Sequence, residues 1–362
     1  MQKLTSQFLF AACAPDCQEL VKHEMIAGHG LRLAFSRPGL LTFKTESPVT
    51  LAEAPRSRIA SLGGLSLGTA RTLPELIALV RPLIAHGQRA SSEGDAAPES
   101  PRLTAGSSDP SRADLVRAYP WPAAEDEVGP SEARLAEVSD SLERALPVDA
   151  RLRDFELGVL VPSDSHASFG YFAFARPRGT PRLTPKVTPP PEAPSRAYSK
   201  LVEAIHHFSI TLSPGTSALE LGAAPGGATF ALLERGVSVL AVDPADMDAR
   251  LAPYAEAQRL TLRHLKKPAQ ALDTSDLNSF RPRWLISDMN VAPPVSAQYV
   301  QRARALMKGS LKGAILTLKL NDTAAVDALP RVLAELERAF GSPPTTAHLP
   351  SHRREVVAVF EA

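Results

Sequence analysis

The residues best suited to chemistry lie in the second half of the 362-residue chain. They include the glycine-rich stretch Gly222-Ala223-Ala224-Pro225-Gly226-Gly227. An apolar run precedes this stretch and a helical pattern follows it, which predicts the first strand, loop and helix of a nucleotide-binding βαβ unit. A second apolar run ends at Asp243, whose carboxylate could accept hydrogen bonds from both hydroxyls of a ribose. The spacing therefore predicts a ribose-bearing cofactor, although the glycines are not in the dinucleotide register G-x-G-x-x-G.

This loop is similar to a known cofactor site. Glu220-x-Gly222 followed by Pro225-Gly226-Gly227 resembles the S-adenosylmethionine (SAM) loop of class I methyltransferases, and its Gly-Ala-Ala-Pro-Gly-Gly form resembles the FtsJ type. The resemblance implies SAM as the cofactor and no metal ion. The residues that it implies for cofactor binding are Glu220, Gly222, Ala223, Ala224, Pro225, Gly226, Gly227, Asp243 and Asp288.

Two ionisable residues end later apolar runs that predict strands. Asp288 ends 284–288 and Lys319 ends 313–319. Ligands of open α/β sheets bind at the carboxyl ends of the strands, so we expect both side chains beside the glycine-rich loop. Ser287-Asp288-Met289-Asn290 is not the Asn/Asp-Pro-Pro-aromatic turn of amino-group methylation. Both cysteines, Cys13 and Cys17, lie in the other half, away from where cytosine C5 methylation needs a thiolate. Both alternatives lose support, which favours a hydroxyl group as the methyl acceptor.

Five segments resemble, in order, the motifs of FtsJ-type 2′-O-ribose methyltransferases: 195–201, 221–227, 286–289, 318–320 and 353–357. The family's Lys-Asp-Lys-Glu tetrad then falls on Lys200, Asp288, Lys319 and Glu355. The resemblance implies that Lys319 is the general base for the 2′-hydroxyl and that Asp288 orients it. Lys200 would tune Lys319 and hold the substrate, and Glu355 would fix the second lysine or the hydroxyl. A lysine is a base only if its pKa falls from about 10.4, so we expect burial or the Lys200 ammonium to lower the pKa of Lys319.

The elements that must position these residues alternate along the second half. A helix is predicted at 194–205, with Ser195 as its N-cap, and strands at 218–221, 237–242, 260–265, 284–288, 313–319 and 355–360. Helices are predicted between them at 296–311 and 323–340. This order predicts a class I, Rossmann-like methyltransferase domain over 181–362, an α/β fold with helices on both faces of a mainly parallel sheet.

The first half predicts an α+β domain of THUMP or ferredoxin-like type over 1–180. Strand patterns occur at 7–12, 31–35, 40–44, 59–70, 152–161 and 169–175, with helical patterns at 16–27 and 73–85. Between about 86 and 131 aliphatic residues become scarce, which predicts a flexible insertion. A proline-rich joint at 176–191 carries Arg176, Arg178, Arg182 and Lys186, either as phosphate contacts or as a solvated linker.

This domain order, together with Arg37-Pro38-Gly39 and the segments 181–187 and 192–196, looks like the RlmM branch of the family. The resemblance implies a THUMP-type RNA-binding domain ahead of the catalytic one. It also implies that the target is a cytidine ribose in 23S ribosomal RNA, the large-subunit RNA, and that ribosomal RNA is the partner.

Composition limits the remaining possibilities. The net charge is +1, so any RNA-binding surface must be local. The Cys13-x3-Cys17 pair lacks the second ligand pair of a zinc site, which favours a helical pair of small buried side chains. No basic n-region or long apolar segment is present, and we expect a cytoplasmic protein without a membrane anchor.

Three hypotheses for function remain. The first is a SAM-dependent RNA 2′-O-methyltransferase acting on large-subunit ribosomal RNA. The second is a ribose methylase for transfer RNA or another ribosomal RNA site, and the third is a catalytically inactive RNA-binding factor in ribosome assembly. An inactive protein has no reason to bring the Lys319 ammonium and the Asp288 carboxylate together beside Gly222, so this distance discriminates between enzyme and factor.

Overall fold

A computed structural model of the chain describes residues 4–85, 116–122, 128–145, 155–178, 183–277, 280–307 and 311–361. The chain divides into two compact units, Met1–Pro181 and Arg182–Ala362, and each contains a seven-stranded sheet. Most of the predicted flexible insertion, 86–115 and 123–127, lies outside the described residues, as does Arg182 of the predicted joint.

The first unit combines its sheet with three α-helices among the described residues. Its strands are β1 (Thr5–Ala12), β2 (Arg32–Arg37), β3 (Leu40–Thr50), β4 (Leu62–Ala70), β5 (Val116–Pro120), β6 (Phe155–Val161) and β7 (Tyr171–Pro177). Its helices are α1 (Gln18–His23), α2 (Leu73–Ala85) and α3 (Glu132–Ala145). The strand order is β2-β3-β1-β4-β7-β6-β5, and all pairs are antiparallel except β5–β6. The described part is thus α+β.

Two kinds of packing hold this sheet. Helices α2 and α3 bury Leu76 and Val138 against strand residues such as Val159. Elsewhere in the unit the Phe10 and Phe174 rings lie 4.4 Å apart. A Cβ on Gly158 would lie 2.1 Å from the Phe174 ring, so glycine is required there for close packing.

Part of the region expected to be flexible is ordered and buried. Val116–Pro120 forms β5, in which Val116 is 1% and Tyr119 5% exposed. A strand of only five residues hardly changes the average composition of a long polar segment, so the composition missed it. Arg176 differs from the prediction too, because it does not belong to an exposed proline-rich joint. It is 2% exposed in β7, with its Nε 3.2 Å from Glu156 Oε1, because β7 extends to Pro177.

The second unit alternates strands and helices. Its strands are β8 (Ser217–Leu221), β9 (Ser238–Val242), β10 (Leu262–Leu265), β11 (Trp284–Ser287), β12 (Gly313–Lys319), β13 (Thr345–Ala347) and β14 (Glu355–Glu361). Its helices are α4 (Ala197–His207), α5 (Gly227–Glu234), α6 (Leu251–Ala257), α7 (Pro293–Leu306) and α8 (Thr323–Phe340). The order β10-β9-β8-β11-β12-β14-β13 is parallel up to β12, and β14 is antiparallel to β12. This is a Rossmann-like, mainly parallel sheet, and the predicted fold class is confirmed.

The core of this unit explains why the strands are almost continuously apolar. One buried cluster joins α4 and α5 to residues of β8, β9 and β11, including Ala218, Val239 and Ile286. The alternate residues, such as Leu219 and Leu285, are fully buried as well, as expected for strands covered on both faces. The strand order reverses between β8 and β11, where ligands of such sheets bind.

Three global features follow from the described residues. Cys13 and Cys17 are both buried free thiols, as predicted, but only Cys17 lies in a helical turn, because that turn begins at Pro15. Burial raises the pKa of Cys13 to about 12. No group of three or more His, Cys, Asp or Glu side chains in the described ranges could hold a metal ion. None of the described helices is long and apolar enough to cross a membrane.

Candidate active site

Four charged side chains of the second unit meet although they lie on four different elements. Lys200 is in the first turns of α4, Asp288 follows β11, Lys319 ends β12 and Glu355 begins β14. The parallel strands β11 and β12 end at the same edge of the sheet, which places Asp288 near Lys319. Glu355 is the direct antiparallel neighbour of Lys319. Sheet register and the position of α4 therefore assemble the group that the sequence motifs pointed to.

The four side chains form a closed ring of alternating charge. The Lys200 Nζ lies 3.1 Å from Asp288 Oδ2 and 2.7 Å from Glu355 Oε2. The Lys319 Nζ lies 3.0 Å from Asp288 Oδ1 and 2.7 Å from Glu355 Oε1. Each ammonium thus contacts both carboxylates, and the formal charge of the ring is zero. The side chains are 9 to 14% exposed, so water screens these contacts only weakly.

The charges of the ring set the protonation states of its members. Burial alone would lower the pKa of Lys319, but Asp288 and Glu355 outweigh burial and raise this pKa above its usual value. Burial would likewise raise the pKa of Asp288, but Lys200 and Lys319 lower it. The expectation that the pKa of Lys319 is lowered is therefore wrong for this arrangement, because two carboxylates lie closer to its ammonium than the sequence could reveal.

The glycine-rich loop is shaped by close contacts inside the protein. Gly222 and Gly226 have positive φ angles of +76° and +111°. A Cβ on Gly222 would lie 2.9 Å from the Met289 Cα and 3.1 Å from the Asp288 carbonyl oxygen, so the loop lies directly beside the residue that follows β11. A Cβ on Gly227 would lie 2.3 Å from the Ser195 Oγ. These glycines allow the loop to pack against protein atoms, in addition to any ligand.

The two acidic residues predicted to bind cofactor have different surroundings. Asp243 is half-buried, and its carboxylate accepts hydrogen bonds from the Ala224 N–H at 3.1 Å and the Ala245 N–H at 2.8 Å. Each oxygen retains a lone pair for a further donor. Glu220 is 2% exposed beneath the loop and accepts a hydrogen bond from the Thr229 Oγ1 at 2.6 Å. Burial raises the pKa of Glu220 to about 8.

Two residues of the site have no counterpart among the sequence predictions. Glu203 is fully buried in α4, and its carboxylate accepts hydrogen bonds from the Val187 N–H, the Ser351 N–H and the Ser351 Oγ. It thereby ties the loop before Glu355 to the helix that carries Lys200. His352 is 2% exposed, and neither ring nitrogen has a hydrogen-bond partner among the described residues. Glu203 lies three residues after Lys200, and this spacing was the available sequence signal for its place near the site. The hydrogen bonds of Glu203 and the burial of His352 could not be read from the sequence.

Comparisons with known proteins show what the second half of the chain is similar to. Residues 193–331 match the family of FtsJ-like methyltransferases. Ribosomal RNA large subunit methyltransferase M of Laribacter hongkongensis is 34% identical over 181 residues, which cover 46% of this chain and 47% of the relative. The protein of the same name from Halorhodospira halophila is 33% identical over 174 residues, 46% of each chain. The chain thus spans about half the length of the curated relatives it matches.

Among solved structures, Aeropyrum pernix fibrillarin in complex with natively bound SAM is 17% identical and has a TM-score of 0.35. The matched region covers 46% of this chain and 76% of the fibrillarin chain. Because this identity and this TM-score are low, the fold assignment rests on the strand order of the second unit. Residues 193–331 of the second unit are therefore similar to the FtsJ-like methyltransferases.

Proposed function

We propose that the protein transfers the methyl group of SAM to a ribose 2′-hydroxyl of ribosomal RNA. The names of the curated relatives support large-subunit RNA as the substrate, and the resemblance to the RlmM branch supports a cytidine of 23S RNA. In this proposal 181–362 is the catalytic domain and 1–180 is a THUMP-like domain that positions the RNA.

The residues around the glycine-rich loop fit the proposed cofactor. Asp243 has free acceptor capacity at the end of β9, as a ribose diol requires. The backbone of 222–227 and the Asp288 carboxylate would hold the rest of the molecule. SAM, when bound, supplies a methyl group on a positively charged sulfonium. Glu220 lies beneath the loop, so we assign it to loop support instead of direct contact.

The ring of four charges would prepare the hydroxyl for attack. Lys319 accepts the hydroxyl proton at its Nζ, which requires the neutral amine. The two carboxylates stabilise its ammonium, so they make Lys319 a stronger base but keep the neutral form scarce at neutral pH. Asp288 and Glu355 hold the Nζ at 3.0 and 2.7 Å, and Lys200 holds both carboxylates. Much of the rate would come from this fixed geometry.

The observation that carries the proposal is the convergence of Lys319 and Asp288 beside Gly222. An inactive assembly factor gains nothing from a buried ring of four charges, because burying charges costs several kcal/mol per ion before the pairs offset it. The convergence does not separate ribosomal from transfer RNA as substrate, and the names of the relatives favour the former.

Replacing Lys319 by alanine tests the proposed base. We expect Lys319→Ala to bind SAM nearly as well as the wild type and to lose ~10²–10⁴-fold in methyl transfer, the usual contribution of a general base. SAM binding is measured by calorimetry, and transfer of labelled methyl groups is measured on ribosomal RNA from a strain that lacks the protein. Lys312→Ala, an exposed lysine of the same unit, is the matched control. Full turnover by Lys319→Ala, or label on a base, would contradict the proposal.

A further inference from the structure

A row of exposed aromatic side chains lies on the first unit, far along the sequence from the catalytic motifs. Phe8 and Phe35 are each 42% exposed. Phe8 pairs with Lys44, Phe35 pairs with Thr42, and Lys44 and Thr42 are two residues apart on β3. Paired residues of antiparallel strands share a face, and so do residues i and i+2 of one strand. Phe8 and Phe35 therefore project from the same face of the sheet.

Cationic side chains share this face with the two rings. Arg32 pairs with Lys44, and Arg37 lies two residues after Phe35. The Lys44 Nζ lies 5.7 Å from the centre of the Phe8 ring, and the Arg37 guanidinium lies 5.1 Å from the centre of the Phe35 ring. The three strands β1, β2 and β3 carry three Lys and Arg residues against a single acidic residue, Glu46. We call Phe8, Arg32, Phe35, Arg37 and Lys44 the Phe8–Phe35 face.

This combination of rings and cations has a chemical meaning that isolated apolar residues lack. Exposed aromatic rings stack on unpaired bases, and neighbouring cations contact the phosphates that link those bases. From the charge and the spacing, we infer that the Phe8–Phe35 face binds single-stranded RNA, with bases stacked on Phe8 and Phe35 and phosphates at Arg32 and Lys44. The inference rests on the proposed function in taking RNA as the substrate, and it assigns the surface that holds it.

A second copy of the chain is the competing occupant of this face. Strand β2 is an edge strand, and an exposed edge can pair with another chain. However, the register of β2 shifts between Leu33 and Phe35, and such irregularities hinder edge-to-edge pairing. Two copies would also bring together like charges from Arg32, Arg37 and Lys44. The polyanion fits this face better than a copy of it.

The test measures binding of the full chain to a fluorescein-labelled 12-nucleotide oligocytidylate by anisotropy, without SAM. Phe8→Ala and Phe35→Ala should each raise the Kd at least about fivefold, the effect of roughly 1 kcal/mol of lost stacking. Leu33→Ala is the matched control. Leu33 lies in the same strand and is 41% exposed, but it pairs with Phe43 on the opposite face. Its Kd should stay within about twofold of the wild type.

Two further measurements separate the contribution of phosphate contacts to RNA affinity from that of base stacking. Arg32→Gln and Lys44→Gln should each reduce the slope of log Kd against log salt concentration by about 0.7, the value for one phosphate contact to a single strand. A 12-base-pair RNA duplex has no free base faces, so its Kd should respond to these substitutions but not to Phe8→Ala or Phe35→Ala.

The possible results are distinct. Unchanged oligocytidylate binding by both Phe variants overturns the inference, and so does equal weakening by Leu33→Ala. A change of oligomeric state in Phe8→Ala, seen by light scattering with unchanged RNA binding, assigns the face to a second copy instead. Loss of RNA binding by the Phe variants together with normal SAM binding supports the inference. It does so even if the protein transfers no methyl group to RNA, in which case only the proposed function fails.

Discussion

At the scale of single residues, the site depends on each lysine contacting both carboxylates. Asp288 and Glu355 both bind Lys200 and Lys319 at distances between 2.7 and 3.1 Å. Removing the charge of any one member leaves the largely buried ring with one unpaired charge. This unpaired charge destabilises the folded state by several kcal/mol unless a pKa shift neutralises it. The ring is therefore a unit, and single substitutions in it will not be additive.

The protonation of Lys319 gives a prediction for the pH dependence of the reaction. The pKa of Lys319 is raised above its usual value. Below that pKa, the fraction of Lys319 in the neutral amine form rises tenfold with each unit of increase in pH. The logarithm of the single-turnover rate should rise with pH with a slope near 1 between about pH 7 and 9. Glu355→Gln removes one of the carboxylates that raise the pKa, so its profile should lie at lower pH. Rates measured with bound SAM and RNA check this, and a flat or unshifted profile would reject Lys319 as the base.

Sequence reasoning found the members of this ring but not their energetics. The order of the motifs identified Lys200, Asp288, Lys319 and Glu355. Each of these residues lies at a strand end or in a helix, and such positions can be predicted from local sequence patterns. It gave the wrong direction for the pKa of Lys319, which depends on distances to carboxylates 31 and 36 residues away. The role of Glu203 depends on Ser351, 148 residues away, and no local pattern reports such a contact.

At the scale of elements, the loop between β8 and α5 is specified by its backbone. Gly222 is in a left-handed conformation and lies against Met289, so it connects the end of β8 to the turn after β11. The loop amides of Gly222 and Ala223 both donate to the Val242 carbonyl, which joins β9 to the same place. Three strand ends are held together by one short loop.

A pair of glycine variants, one in this loop and one in the turn before β8, separates backbone strain from crowding. Gly215 has a φ of +80°, and a Cβ added there would meet no atom within 4 Å, so Gly215→Ala should cost only about 1–2 kcal/mol of strain. Gly222→Ala has the same strain and a clash with the Met289 backbone, which adds about 1–3 kcal/mol. Urea unfolding measures the two costs, and calorimetry should show weaker SAM binding only for Gly222→Ala. Equal costs would show that the contact is not tight.

The agreement differs among the long elements, since the helix predicted at 296–311 begins at Pro293 and ends at Leu306. Helix α8 has the predicted bounds, and β12 was predicted residue for residue, because both have strong apolar patterns. The prediction missed α3, whose polar sequence buries only Val138 and Leu142 among its described side chains. It also missed β13, a three-residue strand that exists through its pairing with β14. Short or weakly apolar elements depend on their neighbours, and sequence patterns do not contain those neighbours.

At the scale of the whole molecule, the second unit contains a buried acid whose ionisation opposes folding. Glu220 is fully enclosed, and burial raises its pKa to about 8 from a usual value near 4.5. Between these two values the folded unit holds a proton that the unfolded chain releases. The folded state binds more protons, so this group makes the free energy of unfolding fall as pH rises through that window.

Replacing Glu220 by glutamine should remove this dependence. Between about pH 5 and 8, the wild-type free energy of unfolding should fall relative to that of Glu220→Gln by up to about 1.4 kcal/mol per pH unit. Glutamine still accepts the hydrogen bond from Thr229, so packing is preserved. Urea unfolding followed by Trp284 fluorescence, in a Trp121→Phe background, reports on the second unit alone. Glu256→Gln, an exposed carboxylate, is the control, and parallel curves for wild type and Glu220→Gln would exclude a buried proton.

The placement of Glu355 on β14 also affects how the second unit folds during synthesis. During synthesis Lys200, Asp288 and Lys319 leave the ribosome before Glu355, so a nascent chain holds two ammonium groups and one carboxylate until β14 pairs with β12. The unbalanced charge then disfavours closing this corner of the sheet. In the proposed function, methyl transfer would therefore begin only when β14 docks, after the other strands of this sheet have been translated.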